Sequence, residues 1–196
     1  MHFSVQEQEK IRENMFTEGL QLLKEYGVQR MTVDKLTKRC QIAKGSFYHF
    51  YDSKESYLRA LMAYAGQKVE EMWQAALAGR KQMTTHEFFQ FFHEYLYSDY
   101  DLLRFVTIED FLWIQKHLVD PDYFKAKNQM AELERWLSMM SDARKDVDHG
   151  VVANLIKSIY AMRESRATMV ESALDDTISI MLRTIENYIC EGKHEG

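Results

Sequence analysis

Between Thr32 and Glu55 the chain reads TVDKLTKRCQIAKGSFYHFYDSKE. Within it Lys44, Gly45, Ser46, Tyr48 and His49 are small or hydrogen-bonding groups set between apolar anchors. The chemistry on offer is recognition, not bond making. A short helix that carries only such groups on its outer face can enter a major groove about 12 Å wide and approach base edges and phosphates. Lys44 and Ser46 are the candidates for base edges, and Gly45 permits a close backbone approach. Thr32, Tyr48, His49 and Lys54 are the candidates for phosphates, which set register without reading sequence.

Other chemistry finds no support. His86-Glu87 and His93-Glu94 look like the start of a zinc-protease motif, but Gln90 and Tyr97 stand where the second histidine is needed. No metal site is expected. No nucleophile beside a base and no glycine loop for phosphates appears, so no catalytic residue and no cofactor is expected, and the chain is not read as an enzyme. Cys40 and Cys190 are the only cysteines, and a structural disulfide between them is not expected.

The elements that must position these groups follow from apolar spacing. Val33, Leu36 and Cys40 form one stripe, Ile42 fills a turn, and Phe47 with Phe50 or Tyr51 closes the next stripe. This is a helix-turn-helix. Upstream, Ile11, Met15, Phe16, Leu20 and Leu23 predict a support helix over about 5–26, ended by Gly27. Downstream, Ser53 caps a long helix running to about Gly79. One Pro and eight Gly in 196 residues favour helix throughout, so the expected fold is all-α.

The residues resemble the TetR family of repressors. Thr32, Leu36, Ile42, Gly45, Ser46, Phe47, Tyr48, Ser53, Lys54 and Glu55 fall in order on that family's N-terminal pattern, and the match covers roughly Ile11 to Leu61. Two positions depart from it, Gln41 where the family usually has Gly and Ala43 where it usually has Ser. A residue other than Gly in the left-handed region is strained, and Ala offers no oxygen to cap the recognition helix. The resemblance implies about nine helices. Residues 1–55 are then a three-helix DNA-binding domain, and 56–196 a larger helical domain for ligand binding and dimerisation. Its implied partners are a double-stranded DNA operator, a small-molecule effector and a second copy of the chain. A helical ligand-binding or interaction protein that does not bind DNA is the alternative.

Charge divides with the domains. Residues 1–55 hold nine Lys/Arg against eight Asp/Glu, and residues 56–196 hold sixteen against twenty-two. Any DNA-facing charge must therefore be grouped, with Lys35, Lys38, Arg39, Lys44 and Lys54 as the group. The N-terminus lacks an apolar signal core and no run approaches a membrane span, so no membrane segment and a cytoplasmic location are expected.

Residues 56–196 hold eighteen aromatics. That surplus predicts an apolar effector pocket lined by Phe89, Phe92, Tyr95, Trp113, Trp136 and Tyr160, with Glu109 as its polar anchor. Residues 102–118 are expected as one helical stretch. A further helix starts at Asp120-Pro121 and carries Tyr123, Phe124, Met130, Leu133, Trp136, Leu137 and Met140. Two C-terminal helices, about 147–163 and 167–190, carry more apolar surface than one core needs. A four-helix-bundle dimer explains them, through Leu155, Ile159, Leu174, Ile178, Met181 and Ile185.

Overall fold

The structure, a computed structural model, describes residues 4–118 and 126–190. Among the described residues it is all-α: α1 Val5–Arg30, α2 Val33–Arg39, α3 Lys44–Phe50, α4 Lys54–Leu77, α5 Thr85–Tyr97, α6 Ile108–His117, α7 Ala126–Ser138, α8 His149–Glu164 and α9 Leu174–Cys190. The expected helix start at Asp120-Pro121, with Tyr123 and Phe124, lies outside the described residues. By its contacts the chain forms two compact units, one of residues 1–68 and 99–121 and one of residues 69–98 and 122–196. The chain thus returns to the first unit after leaving it.

The first unit is built around Tyr57. Its side chain is fully buried, its hydroxyl donates to the Met15 carbonyl at 2.7 Å, and Phe47 and Tyr51 approach its ring at 5.7 and 5.1 Å between centroids. Burying such a ring contributes roughly 2–3 kcal/mol. Its hydroxyl needs room, which Gly19 provides. A Cβ at residue 19 would lie 1.9 Å from the Tyr57 hydroxyl oxygen. Around this pair pack Met15, Leu22, Met31, Leu36, Phe47 and Leu61, so α1 and α4 seat the short α2 and α3.

Gly27 breaks α1 with φ of 73°, as its sequence position suggests, and the helical path resumes to Arg30. The break is held from α6. The buried Asp110 carboxylate accepts the Gln29 N–H at 3.1 Å, and a Cβ at Gly27 would sit 2.6 Å from the same carboxylate. Glycine is required there by dihedral and by space. The stretch expected as one helix over 102–118 is a 3-10 turn, Leu102–Phe105, then α6, because Thr107 is in extended conformation and caps α6 by accepting the Asp110 N–H.

The second unit packs α5 against α9, with α7 and α8 beside them. Thr84 and Glu87 form a reciprocal capping box at the start of α5. Asp142 fixes the same end, accepting from the Thr85 N–H and hydroxyl at 2.6 and 2.7 Å. Phe88, Phe89, Phe91 and Phe92 are all buried, as expected of a helix that is apolar on more than one face. The second C-terminal helix begins at Leu174 rather than near 167. Residues 166–173 instead form two 3-10 turns, the first closed by the Thr168 hydroxyl on the Ser165 carbonyl. Such local bonds compete with helix.

Candidate nucleic-acid interface

The helix-turn-helix follows from its caps and buried stripe. Thr32 caps α2 by accepting the Lys35 N–H at 3.2 Å, and Leu36, Thr37, Cys40 and Phe47 turn inward. Between the helices Gln41 has φ of 55°, the left-handed conformation that its departure from glycine makes costly. Ala43 stands at the N-cap of α3 with no side-chain bond. The turn therefore forms without either local aid, and the buried Phe47 and Leu36 must supply what they do not.

On the outer side lie the candidates. Lys44, Gly45, Tyr48 and His49 are exposed, and Ser46 is half-buried. A Cβ at Gly45 would meet nothing within 4 Å, so no contact within the chain demands glycine there. Tyr48 stands edge-on against Phe47 at 5.3 Å, which holds its ring outward from the core. Lys44 Nζ lies 2.7 Å from the Asp34 carboxylate on α2, and that bond raises its pKa. Thr32 keeps a hydroxyl hydrogen free of its cap role. Lys54 is half-buried. Its ammonium donates to the Gln29 carbonyl at 3.0 Å and sits 5.3 Å over the Trp113 ring, and burial lowers its pKa.

The expected basic group is dispersed by the partners its members find within the chain. Arg39 is drawn to α1 by Glu18 at 2.8 Å and Glu25 at 2.7 Å. Lys35 donates to the Arg30 carbonyl and lies over Tyr26. Sequence reading passed over Asp34, whose partner is ten residues along the chain and across a turn. No periodicity links the two.

The effector candidates fall in two places. Phe89, Phe92, Tyr95, Trp136 and Tyr160 gather in the core of the second unit, with Phe92 lying 6.1 Å from Tyr95 and 6.3 Å from Trp136 between ring centroids. Trp113 packs instead on the core of the first unit, stacked on His117 at 4.6 Å. Glu109 is exposed, which corrects its assignment as an anchor within an apolar pocket. The buried acid is its neighbour Asp110, which is spent on the break in α1. A groove of about 410 Å³ between α5 and α9 is lined by His86, Phe89, His93, Arg183 and Glu186 among others, and of the expected ligand residues it holds Phe89.

Three of the dimer candidates also need correction. Ile159, Ile178 and Ile185 are at most 1% exposed in the single subunit, so a partner has nothing left to bury on them. Leu155, Leu174 and Met181 remain half-buried.

Comparison with known proteins bears on the same elements. Residues 17–61 match the sequence model of the bacterial regulatory proteins of the tetR family. No curated protein sequence matches the chain. Among solved structures, reduced NemR of E. coli shares 17% identity with a TM-score of 0.65, covering 94% of this chain and 99% of that one. A TetR family transcription regulator from Marinobacter aquaeolei shares 15% with a TM-score of 0.57, covering 96% and 100%. FadR of Bacillus subtilis, solved in complex with stearoyl-CoA, shares 15% with a TM-score of 0.53, covering 90% and 98%. At these identities the structures establish a common fold. The helix-turn-helix is thus matched by the tetR family's own sequence model over residues 17–61, and the fold is shared with solved TetR family regulators over nearly the whole chain.

Proposed function

We propose that the chain is a dimeric transcriptional repressor of the cytoplasm, which binds a pseudo-palindromic operator and is released from it by a small, mainly apolar or aromatic effector. The observation that carries this reading is the exposed row Lys44, Gly45, Tyr48 and His49, with Ser46 half-buried beside it, on a helix anchored from behind by the buried Phe47. Lys44 and Ser46 read base edges, and Thr32, Tyr48, His49 and Lys54 hold phosphates. In this reading residues 1–55 carry DNA binding, and residues 56–196 carry effector binding and dimerisation. Two subunits place α3 in successive major grooves, about one helical turn or slightly more apart.

Support for the dimer comes from side stripes on the last two helices. Val151, Leu155 and Met162 share one side of α8, and Leu174, Met181 and Tyr188 share one side of α9, each stripe apolar and incompletely buried. The effector site is assigned to the aromatic cluster of Phe89, Phe92, Tyr95, Trp136 and Tyr160. The acyl-CoA held by the B. subtilis relative favours an effector with a large apolar part. A hundredfold loss of operator affinity requires a coupling of under about 3 kcal/mol.

The test is selection of bound duplexes from a random library, followed by gel shifts with Lys44→Ala and Tyr48→Ala. Both variants are expected to bind at least tenfold more weakly, at unchanged helicity and dimer mass. Unchanged affinity for both would sink the recognition-helix assignment. An intact dimer that selects no duplex would favour a helical ligand-binding protein without DNA binding.

A further inference from the structure

The first 55 residues carry a surplus of one cation over acids, and most of the cations near the candidate interface are engaged by the chain itself. Their partners differ in kind. Lys35 and Lys54 donate to main-chain carbonyls of α1, and Arg39 is paired with two carboxylates of α1. Lys44 is paired with Asp34, a carboxylate on the helix-turn-helix itself, in the first turn of α2. Both partners stay open to water, the Asp34 side chain at 71% and the Lys44 side chain at 55% exposure.

An ion pair so exposed adds little to folding, because water screens it and two mobile side chains must be held. It is therefore easily opened. What it does instead is set the charge that an approaching duplex meets. A phosphate that takes the Lys44 ammonium must first displace Asp34, so the ion pair is lost as the contact forms. That penalty falls on every sequence alike, since phosphates carry no sequence information.

We propose that Asp34 is a brake on sequence-independent DNA binding, its carboxylate occupying the Lys44 ammonium until a duplex competes for it. The proposal rests on the DNA-binding reading given above. It assigns Asp34 a role in specificity: a site whose base edges engage Lys44 and Ser46 recovers the cost, and random DNA does not.

The experiment uses the full chain and a fluorescent 30-base-pair duplex of random sequence, with anisotropy titrations over a series of salt concentrations. Four proteins are compared: wild type, Asp34→Asn, Lys44→Ala and the double variant, each checked for helicity by circular dichroism. Asp34→Asn is expected to bind the random duplex about two- to fivefold more tightly at low salt, the worth of an exposed ion pair that no longer has to be broken. Its slope of log affinity against log salt should steepen by about 0.9, the value of one more neutralised phosphate. In the Lys44→Ala background the same change should gain less than twofold, because there is no ammonium to release. Equal gains in the two backgrounds would overturn the proposal, making Asp34 a simple repulsive charge. Unchanged or weaker binding by Asp34→Asn while wild type binds would also overturn it and leave the DNA-binding reading standing. Failure of wild type and all variants to bind at low salt would remove that reading, and the brake with it.

Discussion

Replacing Gly19 by alanine tests the packing that seats α3. In most exposed helices this change gains up to about 1 kcal/mol, because alanine orders at lower entropic cost than glycine. Here the new Cβ would meet the Tyr57 hydroxyl oxygen at 1.9 Å, so that oxygen must move. Moving it breaks the 2.7 Å bond to the Met15 carbonyl inside the core, a loss of roughly 1 kcal/mol for the bond and more if the hydroxyl stays buried without a partner. Overpacking adds about 1–3 kcal/mol. The net expectation is a destabilisation of about 2 kcal/mol, opposite in sign to the helix-propensity gain. Tyr57→Phe should relieve it. Without the hydroxyl the nearest atoms to the new methyl are the ring carbon at 3.1 Å and Leu61 Cδ2 at 3.2 Å, a tight fit that small shifts resolve. Urea unfolding of wild type, both single variants and the double variant forms a cycle, and a favourable coupling of at least about 1 kcal/mol is expected. Additive effects, or a Gly19→Ala protein as stable as wild type, would refute the argument that the Tyr57 hydroxyl and Gly19 share one space.

Further outcomes follow from the turn and the last helices. Gln41→Gly should stabilise the protein by about 0.5–1 kcal/mol, the relief of a left-handed residue less the extra entropy of glycine in the unfolded chain, and Ala43→Ser should add about 1 kcal/mol through a new N-cap. Thermal melts check both, and a lower melting temperature for either variant would refute the argument made for that position. Leu155→Glu with Met181→Glu should yield folded monomers that bind a selected operator at least tenfold more weakly, since both positions lie on the incompletely buried sides of α8 and α9. Sedimentation showing an intact dimer would place the interface elsewhere. Ile178→Glu, by contrast, should unfold the subunit, because that residue is 1% exposed without any partner.

Elements with local causes could be read from the residues alone. Apolar spacing, the Thr32 cap and the Gly27 stop are near-neighbour effects, so the helix-turn-helix and the all-α fold were legible from residues a few positions apart. The sequence also marked Gln41 and Ala43 as departures, and the backbone at Gln41 does take the left-handed conformation. Periodicity reports that a face is buried, however, and never against what. That is why Ile159, Ile178 and Ile185 were read as a partner's surface when the same subunit covers them, and why Trp113 was grouped with aromatics of the other unit. Between two adjacent acids the distinction is finer still: Glu109 points to water and Asp110 into the core, one helical position apart, because only Asp110 meets the free Gln29 N–H at the break in α1. The pairing of Lys44 with Asp34 is of the same kind. Which charge finds which partner depends on how two short helices cross, and that angle is set by Tyr57, Phe47 and Leu36 packing together from distant parts of the chain.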